Sequence, residues 1–237
     1  MSAATLFVTG TDTGVGKTRV ACALLRRARA LGLRAAGFKP VASGALHTRQ
    51  GLRNEDALAL QAAGAPLPYA MVNPYCFEPA IAPHLAAREA GQLIDTARLN
   101  AIHSQIAAAH DLVIVEGAGG FLVPLSAHES FGDWAGGNRW PVLLVVALRL
   151  GCLNHALLSC EAILRRGDFA GWVANCVPPV MERARENLEE LRARLPGPCF
   201  GVMPSGAQEI CVDQDASGAL ARGFEDWLAA RTPRSCA

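Results

Sequence analysis

The chain has 237 residues, 51% of them hydrophobic, and a formal net charge of +1. It is long enough for one α/β unit with a sizeable core, and its near-neutral balance argues against a nucleic-acid face or attraction to an anionic membrane. The apolar run PVLLVVAL at 141–148 is far shorter than a membrane span, and the eight cysteines lack the C-x-x-C or paired-His spacing of a zinc site or the setting of a disulfide framework.

The chain enters a strand at 5–9 with no basic segment ahead of an apolar one, so it reads as a soluble cytoplasmic protein. The strand runs into VTGTDTGVGKTRV and a helix expected at 17–31. A strand, a glycine-rich turn and G-K-T entering a helix is a phosphate-binding arrangement: inward-facing N–H groups cradle phosphate oxygens, Lys17 reaches the β- and γ-phosphates, and the Thr18 hydroxyl meets magnesium. The common spacing G-x-x-x-x-G-K-[ST] would put its first glycine at Thr11, whereas this chain has Gly10, one residue early. The loop is therefore a variant of that pattern.

A strand at 35–40 delivers Lys39, with Pro40 and then Ser43-Gly44 behind it. In an open parallel sheet ligands gather at the carboxyl ends of strands, so Lys39 and Lys17 can converge on one phosphate; the plainer reading of Lys39 is a solvated lysine at a strand exit. The helix at 55–63 opens with Glu55 and Asp56: Asp56 is a candidate metal ligand, Glu55 an ordinary first-turn acid. Residues 66–91 carry five prolines and break the alternation, as a disordered segment or a loop over a site would. Tyr69, Tyr75 and Phe77 favour the ordered form.

After a helix at 95–109, the apolar strand at 112–116 ends in Glu116-Gly117-Ala118-Gly119, a carboxylate in the position of a magnesium ligand with glycines that admit phosphate. A strand at 142–147 leads to Gly151 and a helix at 154–166, whose first N–H groups make an anion site and whose His155 reads as a packed helix residue. Strands at 171–176 and 200–203 and helices at 182–195 and 217–230 complete the pattern. The expectation is one domain over 1–237, a mostly parallel sheet with helices on both faces in the P-loop NTPase manner, with a frayed tail at 231–237.

Taken in order, VTGTDTGVGKT, GFKPVASG, GLRNEDALAL, VNPY with PH soon after, VEGAGGFLVPL, LGCLNHALL and GWVANCV resemble the dethiobiotin synthetase family, from about Thr5 to Pro204. The resemblance implies an ATP-dependent ring closure. 7,8-Diaminopelargonic acid and CO2 form a carbamate, ATP phosphorylates it, and the neighbouring amine closes the ureido ring with loss of phosphate. By motif, Lys17 and Lys39 are the catalytic pair, and Thr18, Asp56 and Glu116 surround Mg2+. Thr13, Gly14, Val15, Gly16, Lys17 and Thr18 wrap the phosphates with Gly117, Ala118 and Gly119. Asn175 and Cys176 meet the adenine, as do Pro204, Ser205 and Gly206. Thr13 and Ser43 hold the substrate, together with 79–83 and the helix start Gly151, Cys152, Leu153 and Asn154. In that family the helix start belongs to the other subunit of a homodimer.

Three other readings share the loop. A P-loop switch ATPase acting on DNA or membrane has a lysine where Asp12 stands here, and the last helical stretch is not a basic membrane helix. An amidoligase of the cobyrinic acid class needs a glutaminase Cys and His, and Cys199 and Cys211 lack that setting. A non-catalytic nucleotide-binding subunit would not need Lys17, Thr18, Lys39, Asp56 and Glu116 together.

Overall fold

The computed structural model describes residues 3–207 and 222–232. The expected helical residues 217–221, the tail 233–237, Cys211 and Cys236 lie outside the described residues. In chain order the elements are β1 (Ala4–Gly10), α1 (Lys17–Ala30), β2 (Ala35–Phe38), β3 (Val41–Ala42), β4 (Leu46–Thr48), β5 (Gly51–Arg53), α2 (Glu55–Ala63) and α3 (Tyr69–Val72). There follow β6 (Tyr75–Cys76), α4 (Pro83–Glu89), α5 (Thr96–Ala109), β7 (Leu112–Gly120), α6 (Phe131–Gly137) and β8 (Val142–Ala147). The last are α7 (Cys152–Leu164), β9 (Phe169–Asn175), α8 (Ala184–Arg194), β10 (Cys199–Met203) and α9 (Arg222–Ala229).

Six strands form one parallel sheet in the order β10-β9-β8-β1-β7-β2. Its strands are predominantly apolar because helices cover both faces, with Glu116 and Asn175 as buried polar exceptions toward the carboxyl edge. Side chains alternate across the pleat: Phe7, Val113, Val115, Leu144 and Trp172 pack on one side, while Leu6, Val8, Ile114, Val145 and Val173 pack on the other. The first core includes Leu99 and Ile106 of α5, Phe131 and Trp134 of α6 and Ala156 of α7. The second takes in Val20, Leu24 and Leu25 of α1, Leu60 of α2 and Phe224 of α9.

The chain leaves β1 for α1 between β7 on one side and β8 on the other, the place where strand order reverses and where open α/β sheets bind ligands. Lys39 after β2, the phosphate loop after β1 and Asn175 at the end of β9 all lie at this carboxyl edge.

The proline-rich stretch 66–91 is ordered. It contributes α3, β6 and α4, buries Tyr75 and Phe77, and β6 pairs in parallel with β3. Of the tail expected to fray, Arg231 and Thr232 are held: both backbone N–H groups donate to Leu228 O, and the Arg231 guanidinium lies 5.0 Å from the Trp227 ring. The described cysteines divide between buried (Cys22, Cys152, Cys160) and half-buried (Cys76, Cys176, Cys199). His155, read from sequence as packed, is exposed on α7, whose inner face is given to Ala156, Cys160 and Ile163. Among the described residues no helix is long and apolar enough to cross a membrane.

Candidate active site

The loop after β1 closes on Gly16, the residue before α1, at φ 88°. A β-carbon there would lie 2.1 Å from Asn175 Nδ2, so both the left-handed backbone and the contact require glycine. Asn175 is 1% exposed and its Nδ2 donates to Val15 O at 2.7 Å, which pins the loop to the end of β9. Val15 itself is buried. Lys17 turns back under the loop and its Nζ donates to Asp12 O at 3.0 Å.

Lys39 follows the last residue of β2 and is buried. Its Nζ donates to Glu116 Oε1 at 2.6 Å, to Asp56 Oδ2 at 3.2 Å and to Gly117 O at 3.2 Å. Thr18 Oγ1 donates to the same Glu116 oxygen at 2.8 Å. The Lys39 ammonium thus sits between a carboxylate with no exposure and one with 46%. It is a buried catalytic candidate, and the solvated strand-exit reading does not hold.

These contacts set the charge states. Burial pulls Lys17 down from 10.5 to about 8, with the neighbouring Lys39 ammonium adding to the effect. Burial also opposes the charge on Lys39, but Glu116 and Asp56 outweigh it and hold that ammonium above its ordinary value. Burial likewise opposes ionisation of Asp56, and Lys39 overcomes it, leaving the carboxyl below the usual range. The site is a set of mutually compensating charges, with Lys39 and Glu116 buried and Asp56 half-exposed.

Asp56 is positioned by α2. Asn54 caps that helix by accepting from Ala57 N at 3.2 Å, its own backbone N–H donates to Tyr69 Oη at 2.8 Å, and its Nδ2 donates to Ser43 O at 3.2 Å. Glu55 is the exposed first-turn acid that sequence suggests.

All of this opens on a cavity of about 720 Å³. Thr13, Gly14, Gly16, Lys17, Thr18, Lys39, Ser43, Asp56, Glu116, Ala118 and Gly119 line it, as expected. So do Ala80, Ile81, Ala82 and Pro83 from the ordered proline-rich segment. Arg19 and Asn54 line it too, although sequence reasoning passed over both. Asn54 was visible as a capping residue ahead of an acidic first turn; Arg19 carried no signal.

The residues expected at the base end sit to one side of that cavity. Gly206 lines a smaller recess of about 400 Å³ beside α1. Cys176 N donates to Met203 O at 2.9 Å, joining the ends of β9 and β10. Asn175 is already engaged at both ends of its amide, with Oδ1 accepting from Arg19 Nη1 at 3.0 Å. Gly151, Cys152, Leu153 and Asn154 do not line the large cavity: Gly151 precedes α7 at φ 91°, and Cys152 is buried with its N–H given to Arg149 O at 3.0 Å. Arg149 in turn donates to Asp12 Oδ2 at 2.8 Å across the loop.

Glu116 Oε2 is buried and has no hydrogen-bond partner among the described residues. An orphaned carboxylate oxygen beside the Thr18 hydroxyl and Asp56 makes an all-oxygen donor set, which fits Mg2+. Among the described residues no three His, Cys, Asp or Glu are grouped to hold a metal alone.

Sheet order, loop and charge cluster define a P-loop nucleotide-binding protein of the open parallel α/β class. A family model described as an AAA domain matches residues 4–208. The signal recognition particle receptor FtsY from Elizabethkingia anophelis, solved with GDP, shares the fold at TM-score 0.56 and 15% identity, over 99% of this chain and 65% of that one. The MinC:MinD cell division complex of Aquifex aeolicus does so at TM-score 0.54 and 13% identity, over 87% of this chain and 83% of that one. Much nearer in sequence is the ATP-dependent dethiobiotin synthetase BioD of Pseudomonas paraeruginosa, 56% identical over 84% of this chain and 88% of that protein. The BioD of Xylella fastidiosa is 50% identical over 86% of this chain and 91% of its own length. The chain belongs to the dethiobiotin synthetase family.

Proposed function

We infer that this chain is an ATP-dependent dethiobiotin synthetase, a ligase of biotin biosynthesis acting as a single domain over residues 1–237. The observation that carries the reading is the buried Lys39–Glu116 pair, held 2.6 Å apart between the end of β2 and the body of β7 beside the phosphate loop. A nucleotide-binding module needs the loop; it does not need a second buried ammonium facing the same cavity.

The reaction asks for three things. One amine of 7,8-diaminopelargonic acid attacks the carbon of CO2 to give a carbamate. A carbamate oxygen then takes the γ-phosphoryl group of ATP, releasing ADP. The second amine attacks the carbamoyl carbon and expels phosphate, closing the ring. Phosphoryl transfer of this kind is accelerated mainly by positioning and charge stabilisation. Lys17 and Lys39 supply the positive charge, at the loop and from below, and the N–H groups of Gly14, Val15, Gly16, Lys17 and Thr18 orient the phosphates with Gly117, Ala118 and Gly119.

Thr18, Asp56 and Glu116 would hold Mg2+, which when bound neutralises phosphate charge and orients the transferring group. Thr13 and Ser43, both lining the cavity, hold the substrate. Ala80, Ile81, Ala82 and Pro83 cover it with apolar side chains and help exclude the water that would hydrolyse a mixed anhydride. Asn175 and Cys176, with Pro204, Ser205 and Gly206, take the adenine.

The acid tail is assigned to Gly151, Cys152, Leu153 and Asn154 of a second copy, in a cytoplasmic homodimer. Leu157 and Leu164 lie seven positions apart on α7, so they share a side, and Leu150 and Leu158 lie close by. All four are exposed, with Leu150 at 95%, and such a row supports burial against another subunit.

The test is phosphate release from ATP and Mg2+ by the purified protein, with and without 7,8-diaminopelargonic acid and bicarbonate, following the product by mass. Release that depends on the diamine, with a ureido product of the expected mass, supports the reading. ATP binding with no such dependence rejects it.

A further inference from the structure

We propose that Arg19 is the positioning residue for the base end of the nucleotide, a clamp that ties two separate strand ends to α1 and gives the base its wall. The proposal rests on the reading that a nucleoside triphosphate occupies this cavity.

Arg19 follows Thr18, and it lies on the partition between the 720 Å³ cavity and the 400 Å³ recess. Its guanidinium reaches both of the segments beyond the sheet edge. Nε donates to Ala207 O at 2.9 Å, Nη2 donates to Ala207 O at 2.7 Å and to Pro204 O, and Nη1 donates to Asn175 Oδ1 at 3.0 Å. The 204–207 turn closes on itself through Ala207 N donating to Pro204 O at 3.2 Å.

Two consequences follow from the donor-only chemistry of arginine. The first concerns Asn175, whose amide has two possible orientations. Arg19 can only donate and Val15 O can only accept, so together they fix Oδ1 toward α1 and Nδ2 toward the loop. The second concerns the 204–207 turn, whose carbonyls converge on a single side chain. Ala207 O accepts from both Nε and Nη2, and Pro204 O from Nη2 and Ala207 N, so both acceptors are filled within the protein and the clamp fixes the shape of the wall rather than offering it free acceptors.

Arg19 also adjoins the residues that hold the phosphates. Lys17 and Thr18 face the triphosphate end, and the next residue organises the base end, so one turn of α1 sets the distance between them. A preformed wall spares the nucleotide the cost of ordering it. Without the clamp the nucleotide must itself order the turn, a cost that weakens binding by about tenfold.

The experiment compares wild type, Arg19→Ala and Arg19→Lys by calorimetry with ATP and with inorganic tripolyphosphate, alongside kcat and KM for ATP in the phosphate-release assay. Lysine keeps a donor but not the fork, so it should fall between the other two. Expected for Arg19→Ala is ATP affinity weaker by about tenfold or more, tripolyphosphate affinity within about twofold, and a raised KM with kcat at saturating ATP within about twofold. ATP affinity unchanged, ATP and tripolyphosphate weakened alike, or ATP bound more tightly would each overturn the clamp. The last result would make Arg19 a competitor of the base. A wild type that binds ATP without diamine-dependent phosphate release would reject the proposed function while the affinity ratios still decided the role of Arg19.

Discussion

Replacing Lys39 with methionine tests whether the cluster at the sheet edge is a set of compensating charges. Methionine keeps an unbranched stem and removes the ammonium. Glu116 has no exposure, and its Oε1 would then keep only the Thr18 hydroxyl at 2.8 Å while Oε2 stays without a partner. Asp56 is half-exposed and can turn to solvent, so the penalty falls on Glu116. Stranding one member of a buried pair costs about 3–5 kcal/mol, a large share of the roughly 5–15 kcal/mol that holds a domain together. At about 2–4 °C per kcal/mol for a chain of this size, Lys39→Met should melt about 6–20 °C below wild type. Urea and thermal unfolding of the nucleotide-free protein measure it. Adding Glu116→Gln to Lys39→Met removes the stranded charge and should recover more than half of the loss. The reasoning fails if Lys39→Met lies within about 1 kcal/mol of wild type, or if the double variant is no more stable than the single one.

His103 provides a pH test away from the site: its ring lies 4.5 Å from that of Trp140, its Nε2 is 3.0 Å from Thr5 Oγ1, and burial lowers it from 6.5 to about 4. Between those values the unfolded chain binds the extra proton, so stability rises with pH from about 4 to 6.5 and is lost on acidification, by up to about 3 kcal/mol. His103→Phe should flatten that slope in unfolding curves taken across the window, and an unchanged slope would place its origin elsewhere. Glu116→Gln should raise the Mg2+ concentration for half-maximal rate severalfold; an unmoved magnesium titration would remove Glu116 from the metal set. Leu157→Glu should shift the sedimentation equilibrium toward monomer and raise KM for the diamine with little change in KM for ATP. A variant that remains dimeric would move the interface off α7.

The sheet was legible because each of its strands is a short apolar run closed by Gly, Pro or a polar residue. The expected limits fall within four residues of the observed ones, and the largest difference is informative. β7 runs on to Gly120 where Glu116 looked like its end, since Gly120 pairs with Gly10 across the loop mouth. Glycines that read as a turn are there continuing a strand. α6 was invisible for a related reason. FGDWAGG has three glycines and no apolar period, and only the Ser130-x-x-Asp133 capping box marks its start. The short pairs β3–β6 and β4–β5 are too brief for any period to appear.

At the site, Lys17, Thr18, Lys39 and Asp56 were legible because each lies at the end of an element whose type could be read, and Glu116 because it closes the apolar run of β7. Tyr69 acts through the backbone N–H of Asn54, and Arg19 through backbone carbonyls at 204 and 207. Main-chain partners of that kind leave no residue-type pattern, so they emerge only from coordinates.

The same geometry gives the site a definite charge logic. Lys39 is held by Glu116 and Asp56, and Lys17 is turned onto the carbonyl of Asp12. Both ammonium groups are therefore already desolvated and already partnered. A triphosphate entering the loop meets donors whose dehydration was completed on folding, so its oxygens need only replace existing partners. On the proposed reading, the carboxylates released in that exchange are the oxygen ligands that would take Mg2+. The same carboxylates that hold the lysines in place are thus the ones proposed to meet the metal.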